Sequence, residues 1–111
     1  MKYAVYTKWA WDNGVPSAND LQSMMRGFRD SKGDAFAPEE VLWWQIDETH
    51  HQAIIIYPSK EIADAERTAL EAARKDSVQD NKNRMVEEYV GPVVIQLRRS
   101  STSISKLSVV F

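Results

Sequence analysis

Residues 39–57, EEVLWWQIDETHHQAIIIY, carry two apolar runs separated by a short polar one. Residues 41–46 and 53–57 are rich in β-branched and aromatic side chains. Asp47, Glu48 and Thr49 lie between them, which is the pattern of strand, turn, strand. A tight turn at Glu48 and Thr49 sets Ile46 opposite His51 and Trp44 opposite Ala53. In that register Leu42, Trp44, Ile46, His51, Ala53 and Ile55 share one face, and Val41, Trp43, Gln45, Gln52, Ile54 and Ile56 share the other. Both faces are largely apolar. An antiparallel hairpin with one wet face alternates apolar with polar residues, so this one is expected to be covered on both sides.

Upstream, residues 2–11 read as a first strand, with Tyr3, Val5, Thr7, Trp9 and Trp11 on the face expected to be buried. Asp12, Asn13 and Gly14 supply turn chemistry. Pro16 then precedes Ser17, an N-cap for a helix whose first turn holds Asp20. Leu21, Met24, Met25 and Phe28 recur at helical spacing, and Gly33 ends the helix. Residues 35–38 lead back to the hairpin.

Downstream, Pro58 stops the strand and Ser59 caps a second helix. Ile62, Ala65, Ala69, Leu70 and Ala73 form its narrow face of small residues, with charged side chains elsewhere. Residues 76–83 are polar and fit a fraying helix end or a loop. Residues 84–89 fit a strand or a continued helix. Residues 93–97 are a strand by composition, with Pro92 at a bulge or an edge position. After the polar connector RRSSTS, residues 104–111 read as a last strand. Its apolar Val109, Val110 and Phe111 favour an extra strand that crosses to a neighbouring subunit.

Composition narrows the function classes. A chain of 111 residues is one domain with enough length for a core. It contains no cysteine, which removes disulfides, thiolate metal sites and thiol nucleophiles. A net charge of −2 gives no bulk attraction to nucleic acid. No apolar run approaches 18 residues and the N-terminus lacks the pattern of a secretory signal, so a cytoplasmic protein without membrane association is expected. The four glycines form no phosphate-cradling loop, and no GxSxG, HExxH or GKS/T arrangement occurs.

The element order strand, helix, strand, strand, helix, strand is the ferredoxin-like α+β arrangement, βαββαβ, an antiparallel sheet with two helices on one face. Residues 1–97 make that domain and residues 98–111 a C-terminal extension, read as an extra strand at a dimer interface. The sheet face without helices carries large apolar side chains, and a two-fold dimer with sheets packed face to face would cover it. With this order, the first-strand segment KYAVYTKW and the late segment EEYVGPVV, the chain resembles the dimeric α+β barrel superfamily, which includes antibiotic-biosynthesis-monooxygenase-like domains and many members of unknown function. The resemblance implies a homodimer and a pocket between sheet and helices. It makes Trp9, Trp43, Trp44 and Tyr57 pocket residues, with His50, His51 and Tyr57 as candidates for catalysis.

Each of these side chains also has a plain structural role open to it. Adjacent His50 and His51 point to opposite faces of a strand and cannot both ligate one metal there, so no metal site is expected. Glu87 and Glu88 face opposite ways for the same reason. The tryptophans suit a core or an interface. Two functions fit. One is a homodimeric module without catalysis or cofactor, acting through a partner or a small apolar ligand. The other, implied by the resemblance, is a cofactor-independent monooxygenase-like or isomerase-like enzyme acting on an aromatic or polyketide-like substrate, with a tryptophan- and tyrosine-lined pocket holding a histidine.

Overall fold

The computed structural model describes residues 1–99, the side chains at 70 and 73–81 excepted. Four strands, β1 (Tyr3–Trp11), β2 (Glu40–Gln45), β3 (His50–Tyr57) and β4 (Asn83–Pro92), form one antiparallel sheet in the order β2-β3-β1-β4. Helix α1 (Ala18–Lys32) connects β1 to β2, and α2 (Lys60–Asn81) connects β3 to β4. This is the ferredoxin-like fold, with both helices on the face carrying Val5, Thr7, Trp9 and Trp11. The 98–111 extension is described only as far as residue 99, and the extra strand expected over 104–111 lies outside the described residues.

Local chemistry sets the helix ends where the residues imply. Ser17 Oγ accepts from the Asp20 N–H at 3.2 Å, and Gly33 closes α1 at φ +54°. Ser59 Oγ accepts from the Ile62 N–H at 3.2 Å. A Ser59→Ala variant should therefore lose about 1 kcal/mol in urea unfolding, and Ser59→Asp should recover most of it. Gly14 has φ +90°, and beyond it the Val15 N–H donates to the Glu48 carbonyl at 2.8 Å. That bond ties the approach to α1 to the hairpin turn and fixes one end of the space beneath the helix.

The hairpin register differs from the expectation by one residue. Trp43 faces Ala53, Trp44 faces Gln52 and Gln45 faces His51. Asp47, Glu48 and Thr49 make the turn, where Asp47 Oδ1 accepts from the Thr49 N–H at 2.9 Å, and the Ile46 N–H donates to the His50 carbonyl at 3.1 Å. This Asx-type turn sets Ile46 opposite His50 rather than His51, and a one-residue slip exchanges the faces of one strand against the other. Trp43, not Trp44, accordingly shares the helix-side face with His51.

The C-terminal half resolves three alternatives and corrects two expectations. Residues 84–89 are strand, and α2 extends through most of the polar run, ending before Lys82, which takes the left-handed conformation at φ +54°. The bulge lies at Val86, where the pairing steps from Lys8–Glu87 to Trp9–Met85, while Pro92 sits at the end of edge strand β4. Residues 93–97 are not a strand. After Tyr3–Pro92, β1 offers only the Lys2 carbonyl, which accepts from the Val93 N–H at 2.8 Å, and Leu97 is 92% exposed. Among the described side chains of α2 the buried one is Ala63, which packs with Val5 and Tyr57, whereas Ile62, Ala65 and Ala69 are exposed and Leu70 and Ala73 lie outside the described side chains. Arg67 on this face reaches Glu88 of β4 at 2.7 Å, so an ion pair stands where the small-residue stripe was expected.

Candidate functional site

On the helix side of the sheet, neighbouring strands bring His51, Trp9, Trp11 and Trp43 together. Trp9 pairs with His51 across β1 and β3, and Trp43 is diagonal to it on β2. The His51 ring lies 4.3 Å from Trp43, centroid to centroid, with 21° between planes. Trp9 is parallel to it at 6.3 Å, and Trp11 is tilted at 5.8 Å. His51 is only 2% exposed.

The hydrogen bonds decide its protonation. The Trp11 indole N–H donates to His51 Nδ1 at 2.8 Å. An indole nitrogen can only donate, so Nδ1 is the bare nitrogen and the imidazole proton sits on Nε2. Burial pushes the His51 pKa down to about 4, so the ring is neutral near pH 7. Nε2 is buried and has no hydrogen-bond partner among the described residues. A buried donor in this condition is uncommon, because leaving it unmade costs on the order of 1–3 kcal/mol.

Helix α1 buries none of its residues, and between it and the β2–β3 hairpin lies a cavity of about 510 Å³. Leu21 and Met25 of α1 line one wall, Phe36 lies in the following connector, and Val41, Trp43 and His51 form the sheet wall. Phe28 packs edge-on to Phe36 at 6.2 Å and holds the connector against the helix. Arg26 and Arg29 lie along the helix side, and Glu39 and Glu40 along the strand side. Arg29 is held by Asp30 at 3.1 Å and Glu39 by Lys2 at 2.7 Å. An apolar interior with few polar groups and a volume in this range is typical of small-molecule sites, which span roughly 300–1,000 Å³.

The expected site residues are divided by the fold. Trp43 and His51 meet in the cavity wall. Trp9 donates to Thr7 Oγ1 at 3.0 Å and backs the histidine from the buried side. Tyr57 is 1% exposed, packs with Val5 and Ala63, and lines a separate void of about 20 Å³. Tyr57 is therefore a core residue outside the cavity.

Trp44 borders the cavity along the edge strand, yet its indole N–H donates to Gln52 Oε1 at 2.7 Å on the helix-free face. Gln52 Nε2 in turn donates to the Tyr6 hydroxyl at 2.6 Å, and Tyr6 stacks on Tyr89 at 5.7 Å. His50 points to the helix-free face, where Nδ1 lies 2.9 Å from both Asp47 Oδ1 and Thr49 Oγ1. The hydrogen bond with His50, then that from the Thr49 N–H, holds the Asp47 carboxyl down at about 2. Among the described residues, no three His, Asp or Glu side chains group as metal ligands.

Sequence reading missed Trp11 as the partner of His51, because it placed the two on different strands with no way to align them. It also missed Val41, Leu21 and Met25 as cavity walls. The spacing of Leu21 and Met25 did mark their helix face.

A dimeric ferredoxin-like protein from an uncultured marine organism has a similar structure. Its TM-score is 0.55 at 12% identity, covering 86% of this chain and 98% of that one. At that identity the likeness concerns the fold. No protein-family model matches the chain, and no curated protein matches it in sequence. Among the described residues, no helix is long and apolar enough to cross a membrane.

Proposed function

We propose that this chain is a homodimeric α+β barrel module that holds a small, largely apolar ligand in the cavity beneath α1. The observation that carries the reading is the 510 Å³ space with apolar side chains on both walls. The space opens to solvent beneath a helix that buries none of its residues, which makes it a cleft with the size and apolar lining of a small-molecule site. Dimerisation is supported by the helix-free sheet face, where Leu42 is 52% and Tyr89 67% exposed beside Trp44. It is also supported by the dimeric state of the marine ferredoxin-like protein.

Calorimetric titration with 2-isopropylnaphthalene, a hydrocarbon sized to the cavity, tests the ligand reading. Saturable binding at one site per chain is expected. Leu21→Trp, which fills the space from the helix side, should weaken it at least tenfold while leaving the unfolding midpoint within a few degrees. Absence of saturable binding to the wild-type chain by both this hydrocarbon and its ketone analogue 2-acetylnaphthalene would sink the proposal.

A second reading, an oxygenase-like or isomerase-like enzyme, draws support from the neutral His51 ring in the cavity wall. In the tautomer that Trp11 imposes, Nε2 would serve a substrate as a hydrogen-bond donor rather than as a base.

A further inference from the structure

The unpartnered nitrogen of His51 gives the cavity a chemical preference. The two imidazole nitrogens lie on different edges of the ring, so the bond from Trp11 to Nδ1 directs Nε2–H away from Trp11. That donor is shielded from water and unmatched by any acceptor among the described residues, while the ring itself forms part of the cavity wall. Trp43, stacked on it at 4.3 Å, is half-buried and stands between the ring and open space. Trp43 therefore covers the histidine and itself offers an aromatic face to whatever enters.

We propose that the cavity selects a flat aromatic molecule bearing a carbonyl-type acceptor oxygen, with the oxygen accepting from His51 Nε2–H and the aromatic ring stacked against Trp43. This inference rests on the cavity being a ligand site, as proposed above. Nε2–H leaves in the plane of the imidazole, so the ligand oxygen approaches the ring edge while Trp43 stays stacked on the ring face, and entry requires the side chains burying that edge to shift. The selectivity follows from the orphan donor. A ligand with an acceptor satisfies it, whereas a hydrocarbon of the same shape leaves it unmade, and hydrogen-bonding sites reject such analogues. A neutral donor also favours a ketone, aldehyde or quinone-type oxygen over a ligand that itself needs an acceptor. Arg26, which donates to Gln22 Oε1 at 3.5 Å, adds a positive charge along the same cavity.

A matched pair of probes, 2-acetylnaphthalene and 2-isopropylnaphthalene, differs in the acceptor and little in shape. The ketone is expected to bind about tenfold more tightly to the wild-type protein, a difference of about 1.4 kcal/mol. It should also shift the His51 side-chain Nε2 resonance in nitrogen-15 NMR, which the hydrocarbon should not. His51→Phe should remove the preference by weakening the ketone while leaving the hydrocarbon within about twofold. If that variant does not fold, the resonance shift in the wild-type chain decides alone. Equal binding of both probes with an unmoved Nε2 signal would overturn the inference and leave the ligand module standing. Failure of both probes to bind would remove the module and the inference together.

Discussion

Between pH 7 and pH 4 the protein is expected to lose about 2–3 kcal/mol of folding stability through one side chain, His51. Folded, the buried imidazole takes up its proton only near pH 4, while in the unfolded chain it does so near 6.5. Over that interval the unfolded state binds more protons, so stability falls as pH falls. The contribution is fully present above pH 6.5, declines from there to about 4, and changes no further below. At about 1.4 kcal/mol per pH unit the interval amounts to roughly 3 kcal/mol, and nearer 2 once solvent relaxation about the ring is allowed for.

Urea unfolding at fixed ionic strength, run at half-unit steps of pH on wild type and His51→Gln, measures this directly. The glutamine variant should be less stable at pH 7, yet lack most of the slope between 6.5 and 4. Its side-chain oxygen can still accept from the Trp11 indole. His51→Leu should be less stable still at pH 7, by about 1–3 kcal/mol relative to His51→Gln, because the buried indole N–H loses its acceptor. Equal slopes in wild type and His51→Gln would mean that the imidazole is not neutral in the folded state.

The second large effect concerns assembly. Wild-type protein is expected to run near 25 kDa by light scattering, twice the chain mass of 12.7 kDa, and to hold that mass into the low micromolar range. Leu42→Lys should reduce it to the monomer mass at the same concentrations. Leu42 is 52% exposed on the helix-free face of the single chain, so folding stability should change by no more than about 0.5 kcal/mol. In a two-fold interface, by contrast, the substitution places two ammonium groups in one apolar contact. The dissociation constant should rise at least 100-fold. Met24→Lys, on an exposed turn of α1, should leave the mass at the wild-type value. Dimers that survive Leu42→Lys would place the interface elsewhere, and a wild-type monomer would remove the face-to-face arrangement altogether.

The helix-free face has one feature that a face made only of leucine and isoleucine would lack. The bonds from Trp44 to Gln52 and from Gln52 to Tyr6, with Tyr6 stacked on Tyr89, link side chains of all four strands. Such a connected network holds several large side chains in fixed positions before any partner arrives, which lowers the ordering cost of burying them. The same network holds the Trp44 indole on the helix-free face, away from His51.

The sequence by itself determined whatever depends on local periodicity and capping. Alternation along β1 assigned Tyr3, Val5, Thr7, Trp9 and Trp11 to one face, and the hydroxyls of Ser17 and Ser59 set the starts of both helices. Element order then implied the ferredoxin-like fold, because short connections leave few ways to bury these faces. Adjacent histidines on a strand had to separate, and they do.

Only the tertiary structure decided matters that turn on one residue of register or on long-range pairing. The three-residue turn at 47–49, set by the Asp47 side chain, chose Trp43 over Trp44 as the partner of His51. Strand order carried Trp11 to His51 from 40 positions away, fixing a tautomer that no local pattern encodes. The end of β1 at Tyr3 left residues 93–97 with no strand among the described residues to pair with beyond the Val93 bond to Lys2, whatever their β propensity. Strand propensity is a statement about neighbours, and neighbours are supplied by the fold.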